Sequence, residues 1–351
     1  MLAYILLPHK KVTTLPNFFK SLCLVAGFLL AALPSFALPG SPQTALKPPD
    51  SAEGSGEDNT FRKIEVLVRT KQYQQADSLL DSLLPGNPSP GQLYLRMGKL
   101  YFDHDEWARA QHYFEKSLAL RDGNDQAHLL LGLTDRELAQ PGPAEQEFAR
   151  AASLNPRSDV NAYFAGQQLL LDMKFEAALP YFYEAVKLNP RNASAYRAIG
   201  MTQVHLGNYA LAETYYRQAI EALAGSGSAD PAPYLDLAYI LMLGHDPAKI
   251  DEALKMARRA AELQPDSADA HYLIGKALMK LGRVKDSVPE LEFAAQRNPD
   301  DSKAHFQLAL AYESLGEKDK AQAERQALAK TKQHANQQGM ASGSVMPGTG
   351  P

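Results

Sequence analysis

The chain has 351 residues, 45% of them hydrophobic, and its 36 Lys+Arg against 40 Asp+Glu leave a net charge of −4. A core is therefore affordable, while the basic surface expected of a nucleic-acid-binding protein is missing. The single cysteine, Cys23, rules out a disulfide framework and a cysteine-ligated metal within the chain. Residues 1–37 read as an export signal. His9, Lys10, Lys11 and Lys20 form a basic front, Ser21 to Ala32 is almost wholly apolar but short for a membrane span, and Ser35-Phe36-Ala37 offers small residues to signal peptidase. The expected mature chain begins at Leu38 and lies in the periplasm or outside the cell. The alternative is an uncleaved anchor, helped by Leu2 to Leu7, and only then is a membrane a partner. A lipoprotein reading is weaker, because Cys23 begins the apolar run instead of ending it.

Residues 38–56 are rich in Pro, Gly, Ser and Ala and read as a flexible linker. Helical patterning follows. From Gly91 to Leu223, four copies of one pattern start at Gly91, Asp125, Asp159 and Ala193, a period of 34 residues. Slot 8 of the period holds Gly98, Gly132, Gly166 and Gly200. Slot 20 holds Ala110, Ala144, Ala178 and Ala212, and slot 24 is Phe114, Phe148, Phe182 and Tyr216. Asn155-Pro156 and Asn189-Pro190 close two copies, since proline biases the preceding residue away from α. A worn copy precedes these near 57. A looser copy follows from 231, with AGSGSAD lengthening the loop before it and three extra residues expected in the turn around Gly244 to Ile250, and then two gapless copies from 268 and 302. The polar helix through Ala323, Glu324, Gln326, Lys330 and Lys332 reads as a cap, and residues 336–351 as a disordered tail.

This register resembles the tetratricopeptide repeat (TPR), a helix-turn-helix unit with small residues at slots 8, 20 and 27. The resemblance implies an all-α, right-handed α-solenoid of seven to eight tandem repeats over 57–335. Its implied function is a non-enzymatic scaffold or adaptor that holds protein or peptide segments in a concave groove, with no cofactor. Slots 4, 7, 8 and 11 share one stripe facing the second helix, so Gly207 and Gly282 at slot 15 belong to the turn and supply φ > 0. Pro180 and Pro289, both at slot 22, predict bent second helices.

In the family, slots 2, 5, 9 and 12 of the first helix line the groove. Carried onto this chain, they give as partner-binding residues Leu95, Phe102, Leu129, Leu133, Tyr163, Leu170, Arg197, Met201, Leu235, Tyr239, Met242, Tyr272, Lys276, Met279 and Phe306. Tyr239, Met242, Tyr272 and Met279 are expected to be partly exposed and to meet as one patch. The bland alternative is that slots 5 and 12 pack between successive repeats. No copy carries asparagine at slot 6 or 9, so the carboxylate clamp of the chaperone-binding members is not implied.

Catalytic chemistry finds little footing. His128, His271 and His305 all fall at slot 4, a packing position, and the chain has no H-E-x-x-H, C-x-x-C, Walker A or G-x-S-x-G motif. Glu115, Glu184, Glu213 and Glu292 read as solvated outer faces. The rival reading, an enzyme or small-ligand receptor with a site in the 224–250 loops, rests on Asp230, His245, Asp246 and Asp251 alone.

Overall fold

The computed structural model describes residues 56–224 and 228–341, and side chains as far as Thr331. The expected signal, all but the last residue of the expected linker, and the last ten residues lie outside that range. Sixteen helices and no strand occur among the described residues. They fall into two compact units, each described by itself, divided between Asn189 and Pro190. The first unit holds α1 (Gly56–Arg69), α2 (Tyr73–Leu83), α3 (Pro90–Phe102), α4 (Trp107–Leu120), α5 (Asp125–Glu137), α6 (Pro141–Leu154), α7 (Asp159–Leu171) and α8 (Phe175–Leu188). The second holds α9 (Ala193–His205), α10 (Tyr209–Ala224), α11 (Ala232–Leu241), α12 (Pro247–Leu263), α13 (Ala268–Lys280), α14 (Val284–Arg297), α15 (Ser302–Ser314) and α16 (Lys318–Ala341). Each odd-numbered helix packs antiparallel on its successor, and the fold is an all-α solenoid of helix-turn-helix repeats.

The period works through four devices. First, the helices start on side-chain caps: Asn124, Ser158, Asn192, Asp246, Ser267 and Asp301 each accept a backbone N–H from the first turn of α5, α7, α9, α12, α13 and α15. Second, the turn inside seven of the repeats, all but the one from 231, closes at slot 15 with a left-handed residue. These are Lys71 (φ 60°), Asp105 (61°), Ala139 (57°), Met173 (57°), Gly207 (78°), Gly282 (73°) and Gly316 (77°). The following amide then bonds five residues back, as in Lys174 N–H to Leu169 O at 2.8 Å and Asn208 N–H to Gln203 O at 2.8 Å.

Third, the slot 8 glycine meets the slot 24 side chain. A Cβ on Gly98, Gly132, Gly166 or Gly200 would stand 2.7, 2.9, 2.8 or 2.6 Å from the ring of Phe114, Phe148, Phe182 or Tyr216. The aromatic thus fills the notch at glycine itself, and at Gly166 the carbonyl of slot 20 Ala178 lies 3.2 Å from the same Cβ position. Fourth, the asparagine before the closing proline ties the repeat to its own start: Asn155 donates to Asp125 at 2.9 Å and Asn189 to Asp159 at 2.8 Å.

Two expectations change. The three extra residues of the 231 copy are not in the turn. α12 begins at Pro247 and runs 17 residues, and Ile250, Ala253, Leu254, Ala257 and Ala260 all stay buried. Three residues are nearly one helical turn, so the added length keeps the buried stripe in line. Second, α16 reaches Ala341, so helix replaces the first residues of the expected tail. Pro180 and Pro289 lie on the exposed side and their helices continue through them. Each is the sixth residue of its helix, where only one intrahelical N–H bond is forfeited.

Candidate functional site

In residues 56–189 the expected groove is closed. Leu95, Leu129, Leu133, Tyr163 and Leu170 are buried, and Phe102 is half-buried with its ring edge-on to Trp107 at 5.1 Å. Polar side chains on this face satisfy one another. Arg136 donates to Gln167 at 2.7 Å, and Gln167 donates to the Tyr163 hydroxyl at 3.1 Å. Burial holds the Arg136 guanidinium below its usual range.

In residues 190–341 the same slots are buried or half-buried as far as α13. Arg197, expected to meet a partner, instead donates from Nε to Asp236 Oδ2 at 2.5 Å, both groups buried, and so joins α9 to α11. Burial lifts the Asp236 carboxyl above the usual carboxylate range against the pull of Arg197. Met201 and Met242 are buried, and Leu235 is half-buried. The expected exposed patch fails at three of its four members. Tyr239 is 8% exposed, Tyr272 4% and Met242 2%, while Met279 is half-buried. The reason is geometric: α11 packs on α13 and α13 on α15, so each first helix is covered by the next one along. α15 is the last first helix among the described residues. Its slot 5 and slot 9 residues, Phe306 and Leu310, are 49% and 36% exposed. Lys276, at slot 9 of α13, is half-buried beside them in the register.

The histidines pack, as slot 4 implies, but they also bond. His128, His271 and His305 each place Nδ1 2.6 Å from the slot 23 glutamate of their own repeat, Glu147, Glu290 and Glu324. Each Nε2 reaches a carbonyl of the preceding turn, at Asp122, Pro265 and Pro299. Three glutamates read as solvated are engaged as well, Glu184 with Lys187 at 2.8 Å. Glu213 takes Arg217 at 2.9 Å and Lys249 at 2.8 Å, and Glu292 accepts the Tyr312 hydroxyl.

The 224–250 acids do local work. Asp230 accepts the Ala232 amide at 2.9 Å, Asp246 that of Ala248 at 3.0 Å, and Asp251 pairs with Lys255 at 2.8 Å, while His245 is exposed. Among the described residues no group of three His, Cys, Asp or Glu is placed to hold a metal, and no helix is long and apolar enough to cross a membrane. A cleft of about 330 Å³ on the second-helix side of α6 and α8 is lined by Ala149, Ser153, Pro156, Pro180 and Tyr181, with Glu184 its one carboxylate.

Sequence reasoning missed the Arg197–Asp236 pair, the three His–Glu pairs and the Asn–Asp ties. Opposite charges at slots 5 and 6 of successive first helices were the available signal for the first. A histidine at slot 4 with a glutamate at slot 23 was the signal for the second.

The tetratricopeptide repeat profile matches residues 173–227, 248–287 and 272–335. Anaphase-promoting complex subunit CDC16 of Saccharomyces cerevisiae is 22% identical over 207 residues, 58% of this chain and 24% of the yeast protein, so the chain spans about a quarter of that relative. The solved APC/C hetero-tetramer Cut9-Hcn1 aligns with TM-score 0.54 at 16% identity, over 71% of this chain and 48% of that one. A tetratricopeptide repeat protein from Parabacteroides merdae aligns with TM-score 0.51 at 15% identity, over 74% of this chain and 99% of its own. At these identities the likeness concerns the fold.

Proposed function

We propose that this chain is a tetratricopeptide repeat protein, an exported, non-enzymatic scaffold that holds a protein or peptide segment on the first-helix face at the end of its 190–341 unit. One observation carries the reading. Slots 5 and 9 are covered by the next first helix along α11 and α13, but at α15 they leave Phe306 and Leu310 in water. An apolar pair of this kind, held on a rigid helix, suits an incoming helix or extended apolar segment that takes the place of the next first helix. A yeast relative that is a subunit of a complex is consistent with a protein partner. Export is supported by the basic front, short apolar run and Ser35-Phe36-Ala37 alone.

The experiment is photo-crosslinking in the native host, with p-benzoylphenylalanine at Phe306 and, as a control outside the face, at the exposed Leu120. A discrete adduct from Phe306 that disappears in Leu310→Glu, and is not formed from Leu120, supports the reading. The same adduct from both positions, or one untouched by Leu310→Glu, defeats it. Intact mass of the host protein tests export: a chain starting at Leu38 is expected, and full-length chain in the cytosol contradicts it.

A further inference from the structure

α15 presents a stripe that reads alike from either end. Lys303, Phe306, Leu310 and Glu313 follow one another at spacings of three, four and three, so they share one face of the helix. The two apolar residues lie two positions either side of Leu308, and the two charges five positions either side. Leu308 itself, with Ala304 and Ala311, forms the opposite stripe and is buried. Phe306, Leu310 and Glu313 are exposed, and Lys303 is half-buried. Each charge has neighbours that hold it at its end of the stripe. Lys303 Nζ stands 3.9 Å from Asp301 and 6.0 Å from the centre of the Tyr272 ring, and Glu313 pairs with Arg325 of α16. No other first helix of the register has opposite charges at slots 2 and 12 around two apolar residues at slots 5 and 9.

Turned end for end, a second α15 meets this stripe in register. Phe306 of one copy then lies on Leu310 of the other, and Leu310 on Phe306. At the ends, Lys303 of each copy meets Glu313 of the other. The spacing is that of a coiled-coil seam, in which such residues pack as knobs between two helices. A parallel pair would instead set Lys303 on Lys303 and Glu313 on Glu313, and like charges across an interface cost affinity. The antiparallel pair is isologous. One two-fold axis level with Leu308 relates the copies, and the contact closes at two chains.

We propose that the occupant of this face is a second copy of the chain, joined through antiparallel α15 helices. The assignment rests on the reading of that face as a partner surface and names the incoming helix as α15 itself. Its apolar centre holds only Phe306 and Leu310 from each copy, so the dimer belongs to the small, reversible class of interfaces. The charges at its ends set direction more than strength.

The test is analytical ultracentrifugation of the full chain over a concentration series, with two charge reversals and melting temperature as the check on folding. Lys303→Glu leaves two acids on each stripe and Glu313→Lys leaves two lysines. Each variant alone is expected to self-associate about tenfold or more weakly than the native chain. Mixed in equal amounts they regain both ion pairs, and the mixture is expected to form a heterodimer with the native affinity. Phe306→Glu is expected to stay monomeric. The proposal is overturned if the native chain is monomeric throughout, if either reversal alone associates as the native chain does, or if the mixture stays monomeric. A monomeric native chain whose photo-crosslinker at Phe306 captures another protein removes the second copy and leaves the partner surface standing. A native dimer untouched by Phe306→Glu, with no adduct from Phe306, removes both.

Discussion

Gly200 faces Tyr216 so closely that a Cβ on the glycine would stand 2.6 Å from the ring. Real Cβ atoms do not approach that near, so any side chain at 200 must drive a fully buried ring out of its place. Alanine is the better helix former by about 1 kcal/mol, yet Gly200→Ala is expected to destabilise by about 1–3 kcal/mol through overpacking. Urea denaturation measures it. An unchanged or higher midpoint would mean that the ring moves aside freely.

The same ring carries a second liability. The Tyr216 hydroxyl is buried with no hydrogen-bond partner among the described residues, while Phe114, Phe148 and Phe182 fill the slot in three other repeats. Tyr216→Phe should therefore stabilise by about 1–2 kcal/mol, because it removes an unsatisfied polar group. A loss of stability would point to a partner for the hydroxyl.

Slot 15 is left-handed in seven repeats, but four of the seven residues there are not glycine. A side chain in that conformation costs about 1–2 kcal/mol. Ala139→Gly and Met173→Gly should each raise stability by about 1 kcal/mol, and Gly207→Ala should lower it by a similar amount. Equal melting of Ala139→Gly and the native chain would contradict the strain.

Asp135 is buried, and its carboxyl accepts from Gln111 at 2.7 Å. Burial pushes its pKa up to about 6, Gln111 opposes the shift, and Glu147 and Glu115 add to it. Between pH 4 and about 6 the folded chain thus holds a proton that the unfolded chain has released. This group's stabilisation is complete below about pH 4 and is lost as pH rises through about 6. Asp135→Asn keeps the acceptor and removes the charge. Its stability relative to the native chain should be higher at pH 8 than at pH 4.5, by about 2 kcal/mol. A pH-independent difference would sink this.

Much of the fold was legible because a period fixes which residues share a face. Gly98 to Gly200, Ala110 to Ala212 and Phe114 to Tyr216 all lie where the register put them. Left-handed turns at Ala139 and Met173 were not seen, since the signal sought was glycine and only the slot number carried it. The groove failed for a different reason. A period shows that Tyr239 and Tyr272 lie on the same face of successive helices, but not how tightly those helices close over it. The bland alternative, slots 5 and 12 packing between repeats, describes Leu95, Tyr163 and Met242. Phe306 lies on α15, the last first helix among the described residues, and its exposure of 49% is not revealed by inspection of its own repeat.

The most direct test of the account compares Phe306→Glu with Tyr272→Glu, two changes at the same slot of successive first helices. Each variant is scored for melting temperature and for the partner adduct formed from a photo-crosslinker at Leu310. Phe306→Glu is expected to melt within about 2 °C of the native chain, because water reaches the new charge, and to lose the adduct. Tyr272→Glu is expected to melt far lower, because it buries an unpaired carboxylate between α13 and its neighbours. If Phe306→Glu melts as early as Tyr272→Glu, or melts normally and keeps the adduct, the end of this array is not the partner surface.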